Sequence, residues 1–315
     1  MAIIIAECCQ NHKGDLKILK DMIWAAAEAG ADYAKVQSIL ADDLTFRERF
    51  EEGVVENGVR KAIKRPYQLE YERLKPMNLD DNAFRWFIEE CKKARIKPLT
   101  TVFTRSRIPF LSSLDWQEIK VASYDCASFP MIRELKEHFR HLFISTGAVF
   151  DADVRATASI LNGNSFTFLH CVTIYPTPLD DLNLARIDWL RQFTPSVGFS
   201  DHTSVARDGL KASIGALYFG ADLVERHFTI LPTEETKDGP ISINPDQLKE
   251  LVEFSKIPAE EIKDYINKHV PEYDKMVGVP NRALTGVELL NRDYYRGRFA
   301  SKTGDRMVYN WGEIE

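Results

Sequence analysis

The sequence predicts an α/β fold in which eight parallel strands, each followed by a helix, close into a barrel with a short C-terminal extension. Three observations carry this expectation. Short apolar runs rich in β-branched and aromatic residues alternate with stretches of helical periodicity along most of the chain. The runs number eight, the count at which repeated strand–helix units close into a TIM (β/α)8 barrel. No Gly-x-Gly-x-x-Gly follows the first run, so the rival open, dinucleotide-binding sheet loses its best support.

Taken in order, the expected strands are Ala2–Ala6, Tyr33–Gln37, Pro98–Phe103, Glu118–Val121, Leu142–Ser145, Phe166–His170, Val197–Ser200 and Asp222–His227. The expected helices are Leu16–Ala29, Asp80–Ala94, Ser106–Ser113, Phe129–His138, Asp151–Leu161, Leu184–Phe193, Ser204–Phe219 and Pro245–Phe254. Two segments stand outside this alternation. Ile39–Asn78 is long, polar and charge-rich, and reads as an extended loop over the active-site face. After Phe254 come a polar helical stretch, Glu260–Asn267, and a tail without a clear second core. The expected division is a barrel over 1–256 and a helical or extended tail over 257–315 that is not an independent domain.

Composition narrows the function. The 315 residues include 41 Lys+Arg against 47 Asp+Glu, a net charge of −6, which argues against a nucleic-acid-binding body. No run is long and apolar enough for a membrane span, and MAIIIAECC lacks the basic start of a signal peptide. The five cysteines are scattered without Cys-x-x-Cys spacing, so neither a disulfide framework nor a structural zinc site is expected. A cytoplasmic protein fits best.

In such a barrel the chemistry sits at the C-terminal strand ends. There the sequence places Glu7, Asn11 and His12; Lys35 and Gln37; Thr100 and Thr101; Lys120 and Ser123; Ser145, Thr146 and Gly147; His170; Ser200, Asp201 and His202; and Glu225, Arg226 and His227. Singly, each has a bland reading. Lys35 fits a buried ion pair, His170 a satisfied core histidine, Thr100 and Thr101 β-formers, and Ser145-Thr146-Gly147 a turn. Convergence at one end of all eight strands favours an enzyme, because buried charge is costly unless used. Two lysines with hydroxyls and strand-end amides suit a small phosphate or carboxylate. His202 and His227, on adjacent strand ends, suit a divalent metal with open positions. Glu7, Asp125 and Asp238 can orient hydroxyls or carry protons. The set suits carbon–carbon bond formation between an anionic enol and a carbonyl compound.

The strings IIIAECCQNHKGDL, AAAEAGADYAKVQ, KVAS, STG, LHCVTIYPTP, VGFSDHT, VERHFT and KDGPISINP, in this order, resemble the sialic acid synthase (N-acetylneuraminate synthase) family from about Ile3 to Leu251. The resemblance implies a barrel that condenses phosphoenolpyruvate with an N-acetylated mannosamine-type sugar, giving a nine-carbon 3-deoxy-2-keto acid and phosphate. By the same resemblance Lys35, Thr101, Lys120, Ser123, Ser145 and Ser200 hold phosphoenolpyruvate, with Lys35 and Lys120 countering its charge through the reaction. Glu7 lies near the reacting carbon, and Asp125, Thr173, Tyr175 and Asp238 face the sugar. His202 and His227 match metal ligands, with Mn²⁺ the expected ion and Mg²⁺ or Co²⁺ as substitutes. A homodimer is implied.

The departures from the family pattern cluster on the sugar side. Cys8-Cys9-Gln10 replaces a Gly-Ile run, Asp125 a Glu, and Thr173 an Asn, and the two cysteines are expected to be packing residues. The sequence ends at Glu315, about where the family's C-terminal antifreeze-like domain begins, so this is expected to be a barrel without that domain. Within the tail, Arg296 or Arg298 is a candidate for reaching a sugar site, its own or a dimer partner's. Three alternatives stay open. One is a related synthase on another aldose, a phosphorylated one included, as in Kdo-8-phosphate synthases, with Arg105 and Arg107 as phosphate binders. Another is a Schiff-base aldolase using Lys120. The third is a sugar-binding barrel without turnover.

Overall fold

The computed structural model describes residues 1–312; residues 313–315, the end of the expected tail, lie outside the described residues. Ten strands precede the tail: β1 (Ile3–Cys9), β2 (Tyr33–Ser38), β3 (Val54–Glu56), β4 (Val59–Ala62), β5 (Lys97–Val102), β6 (Glu118–Val121), β7 (His141–Ser145), β8 (Ser165–His170), β9 (Val197–Asp201) and β10 (Leu223–His227). All but β3 and β4 pair in parallel, in the order β1-β10-β9-β8-β7-β6-β5-β2, and β2 pairs with β1 to close the barrel. The eight expected strands are these eight, and the expected fold is the one observed.

Side-chain alternation along the strands sorts the interior from the exterior. Ile5, Tyr33, Leu99, Phe143, Leu169 and Leu223 form an apolar plug inside the lower barrel. Their outward neighbours, such as Ile4, Ala6, Val36, Ile119, Phe168, Phe199 and Val224, pack beneath the helices. One step above the plug the inward positions turn polar. β1 pairs Glu7 with Lys35 in register and thus runs three residues beyond the expected Ala6. A buried ion pair ends an apolar run, but it does not end the hydrogen-bond ladder.

Three helices are shorter than the periodicity suggests, the one expected over Ser106–Ser113 reducing to Ile108–Ser112. Leu184–Phe193 reduces to Arg186–Leu190. Ser204–Phe219 splits into Val205–Asp208 and Lys211–Phe219, because Gly209 adopts a φ of 55°, outside the helical region.

The long loop after β2 and the tail differ most from expectation. The loop holds the β3–β4 hairpin and a helix, Tyr67–Leu74. The tail holds helices Ala259–His269, Tyr273–Val277 and Gly286–Tyr295, then an antiparallel pair, β11 (Ser301–Thr303) and β12 (Arg306–Val308). Neither segment has a core of its own, yet together they build two small ones. Ile39, Ala41, Leu44 and Leu74 pack on Phe103 and Phe299, and Phe50 and Ala62 pack on Tyr294. Backbone bonds lock the two segments, with Thr45 donating to Arg298 and Ala300 donating to Asp43, both at 3.0 Å. The tail therefore lies over the mouth of its own barrel. Among the described residues no helix is long and apolar enough to cross a membrane.

Candidate active site

A cavity of about 450 Å³ opens at the C-terminal end of the barrel. Its floor is the ring of inward polar residues above the plug. Lys35 forms a buried ion pair with Glu7 and lies 3.5 Å from Glu225, while its Nζ donates to Thr101 Oγ1 at 3.0 Å. Lys120 donates to Ser145 Oγ at 2.5 Å and to the Val121 carbonyl at 3.1 Å, and sits 3.9 Å from Glu225. Ser200 donates to Glu225 at 2.9 Å. Ser123 Oγ meets Cys171 Sγ at 3.0 Å and lines the cavity.

Burial and charge set the protonation of this floor. Burial pushes Lys35 down from 10.5 to about 8; Glu225 opposes the shift and Lys120 adds to it. Burial by itself would raise Glu225, but Lys120 and Lys35 outweigh it and hold the carboxyl at about 2. Gly147 keeps the floor open, since a Cβ there would lie 2.5 Å from Thr173 Oγ1 and 2.7 Å from Cys171 Sγ. The Ser-Thr-Gly turn is thus a requirement of the site as well as of the chain reversal.

His202 and His227 stand side by side, ring centroids 5.4 Å apart. His202 Nδ1 lies 3.2 Å from the Val172 carbonyl, which can only accept, so Nδ1 carries the proton and Nε2 presents a lone pair. His227 Nδ1 is buried with no hydrogen-bond partner. Burial lowers both imidazoles, His202 to about 3, so both are neutral donors. A buried, unpartnered ring nitrogen beside a second neutral imidazole fits a divalent cation.

The rim comes from the loop and the tail. Val287, Asn291 and Tyr295, spaced four apart on one helix face, overhang the cavity. Arg298 also lines it and pairs with Glu70, which holds Arg73 at 2.9 Å. With Arg65 and Lys237 this makes four cations at the mouth, two of them paired with Glu70. Partial burial and the neighbouring Arg73, Arg298 and Arg65 push Lys237 down to about 8. Tyr175, 44% exposed, leans on His202 with centroids 4.5 Å apart.

The cavity is lined by Glu7, Lys35, Thr101, Lys120, Ser123, Ser145, Tyr175, Ser200, His202, His227 and Asp238, all singled out in the sequence. Asp125 and Thr173 are not brought to its surface. Asp125 accepts from Ser128 at 2.9 Å and from Asn310 at 3.0 Å, so its carboxylate is engaged behind the wall. Thr173 lies beneath Gly147, fully buried. Other strand-end candidates serve the scaffold. His170 points outward and meets the Leu182 carbonyl at 2.6 Å. Asp201 pairs with Arg226 outside the barrel, and Asn11 ties to the Phe228 carbonyl at 2.9 Å. Arg105 is held by Glu134 and Arg107 by Asp81, each at 2.8 Å, so neither is free for a phosphate. Arg296 lies over Trp311 and does not line the cavity.

The sequence placed Glu225 at a strand end without giving it a role, and the rim cations Arg65, Arg73 and Lys237 were missed. Glu225 had a usable signal: it lies two residues before His227 on one strand and must share its face. The rim had none, because its residues meet only through the packing of the loop on the tail.

Comparison with known proteins agrees with this arrangement. Residues 22–265 match the model of the NeuB family. The N,N'-diacetyllegionaminic acid synthase of Campylobacter jejuni is 28% identical over 314 residues, covering 95% of this chain and 88% of that protein. Human N-acetylneuraminate-9-phosphate synthase is 31% identical over 261 residues, covering 79% and 68%. The solved sialic acid synthetase of Leptospira borgpetersenii, in complex with citrate, superposes with a TM-score of 0.70 at 25% identity, covering 93% of this chain and 90% of that one. The chain belongs to the NeuB family and is an enzyme of this carbon–carbon bond-forming synthase class.

Proposed function

We propose that the protein condenses phosphoenolpyruvate with the open-chain aldehyde of an N-acetylated, mannosamine-type sugar, giving a sialic-acid-like nine-carbon 3-deoxy-2-keto acid and phosphate. The observation that carries this reading is the floor: Lys35, Lys120 and four hydroxyls, from Thr101, Ser123, Ser145 and Ser200, converge on one cavity. Such a cradle suits a compact, multiply charged anion.

Carbon 3 of phosphoenolpyruvate attacks the aldehyde carbon, and the aldehyde oxygen takes up a proton. Water adds to carbon 2 and gives up one proton, and the bond from carbon 2 to the phosphate oxygen then breaks as the new hydroxyl passes its remaining proton to the leaving phosphate. Phosphate leaves with the bridging oxygen, and the water oxygen remains as the ketone. Lys35 and Lys120 hold the carboxylate and phosphate through these steps, and the low-dielectric floor strengthens that hold. Glu7 is buried and pairs with Lys35 through Oε2, while Oε1 has no partner, so this carboxylate can orient the attacking water and accept its proton. A divalent cation at His202 and His227, Mn²⁺ with Mg²⁺ or Co²⁺ as substitutes, would polarise the aldehyde oxygen and add positive charge to a floor whose two lysines are matched by Glu7 and Glu225. All five cysteines are free and buried, which suits a reducing cytoplasm.

One observation favours a second reading of the acceptor. Arg65, Arg73, Lys237 and Arg298 gather at the mouth, a rim that would welcome a sugar bearing a phosphate at the end remote from its aldehyde. Phosphate release from phosphoenolpyruvate, assayed with N-acetylmannosamine, its 6-phosphate and diacetamido sugars, tests both readings. Release that depends on an amino sugar supports the function, and the preferred acceptor decides between neutral and anionic sugars. Release without sugar, or none with any, removes it.

A further inference from the structure

Cys9 is wholly buried but belongs to none of the apolar clusters. Cys8 points outward into the layer between strands and helices. Between Glu7 and Cys9 the pairing with β2 shifts by one residue, a bulge at the C-terminal end of the strand. Its φ of 40° is unusual for a residue with a side chain. The Sγ of Cys9, a ring nitrogen of His227 and a carboxylate oxygen of Asp238 all lie within 4.8 Å of one another. Cys9 is wholly buried and His227 is 8% exposed, and His227 Nδ1 has no hydrogen-bond partner. Three groups able to ligate, one of them unsatisfied, thus meet at the cavity, which His227 and Asp238 line. Asp238 is held there by a tight turn, since a Cβ at Gly239 would lie 1.8 Å from the Thr233 carbonyl oxygen.

We propose that Cys9 and Asp238 join His227 as ligands of the divalent cation, forming a thiolate–imidazole–carboxylate site. This deepens the proposed function by naming the cation's ligands, and it rests on that reading for the cation's use. A thiolate selects softer, borderline ions over hard ones, so the donor set favours Co²⁺ or Zn²⁺ over Mg²⁺. Binding replaces the thiol proton, which leaves to solvent as the Sγ–metal bond forms. His202, with Nε2 free beside His227, completes the side facing the cavity.

Cobalt reports this chemistry by itself. Co²⁺ titrated into metal-stripped full-length protein is expected to bind at one equivalent and to produce a near-ultraviolet thiolate-to-cobalt charge-transfer band. Cys9→Ser should abolish the band while Cys8→Ser keeps it, with circular dichroism confirming that both are folded. Asp238→Asn should keep the band and weaken Co²⁺ binding by about tenfold or more. If Cys9→Ser does not fold, ¹¹³Cd resonance of the wild-type protein reads the same point, because a sulfur ligand moves the signal far downfield of an all-nitrogen and oxygen site. Absence of the band on Co²⁺ binding, its survival in Cys9→Ser, a cadmium signal in the nitrogen–oxygen range, or no binding of Co²⁺ each overturns the site. Turnover is scored separately: condensation without the band removes the thiolate and leaves the reaction, and a band without condensation keeps the site and removes the reaction.

Discussion

Glu225 lies 3.5 Å from Lys35 on the barrel floor and reaches Lys120 at 3.9 Å. This carboxylate lies between the two buried ammonium groups and offsets their mutual repulsion. Its negative charge also raises the Lys35 pKa, against burial and Lys120, which lower it.

A pH dependence follows. Lys35 sits at about 8 in place of 10.5, so it is charged below pH 8 and loses its proton as the pH rises through that value. The kcat/KM for phosphoenolpyruvate, which reports the free enzyme, should fall on the alkaline side of about pH 8. Glu225→Gln removes the charge that raises Lys35, so the alkaline limb should move to lower pH. A limb that stays in place in this variant would disconnect Glu225 from Lys35.

Metal removal should abolish condensation. Chelator-treated enzyme is expected to regain activity with Mn²⁺, and His202→Ala or His227→Ala should raise the metal concentration required by about tenfold or more. Wild-type metal dependence in His202→Ala would move the cation away from this pair.

The tail should matter to the sugar through Arg298 and not through Arg296. Arg298 lines the cavity, whereas Arg296 covers Trp311. Arg298→Ala is expected to raise the KM for the sugar about tenfold, a loss of about 1.4 kcal/mol, with the KM for phosphoenolpyruvate nearly unchanged. Arg298→Lys should recover part of that loss, and Arg296→Ala should leave both constants near wild type. Equal effects on both substrates would mark Arg298 as a structural residue.

Asp201 and Arg226 should act on stability. Both are fully buried between barrel and helices, and Asp201 also accepts from Thr203 at 2.8 Å and from Ser213 at 2.6 Å. Asp201→Ala strands the guanidinium and should cost about 3–5 kcal/mol in urea unfolding. A loss below 1 kcal/mol would show that water reaches Arg226 there.

The barrel was legible because each strand is a short apolar run and each helix an amphipathic stretch, both local signals. Period-two alternation, applied strictly, also sorts the site: Glu7, Lys35, Thr101, Lys120, Ser145 and Glu225 face inward, while Thr100, His170 and Arg226 face outward. The rim was not legible. Phe299 meets Leu44, and Arg298 meets Glu70, across more than half the chain, and neither partner carries a pattern that points to the other. Asp125 was misplaced for a similar reason, since its partner Asn310 lies at the far end of the tail. Cys9, which meets His227 and Asp238, follows a bulge that no local periodicity announces.

The central claim, that the strand-end floor joins phosphoenolpyruvate to a sugar aldehyde, is tested most directly by ¹³C and ³¹P resonance on one reaction. [3-¹³C]Phosphoenolpyruvate, N-acetylmannosamine and Mn²⁺ are mixed with enzyme, and the fate of carbon 3 is followed. The expected spectrum loses the vinyl signal, gains a methylene coupled to a new sugar carbon, and releases one inorganic phosphate per methylene formed. Labelled pyruvate with phosphate, no new carbon–carbon coupling with any amino sugar, neutral or phosphorylated, or a borohydride-trapped adduct on Lys120 would contradict it.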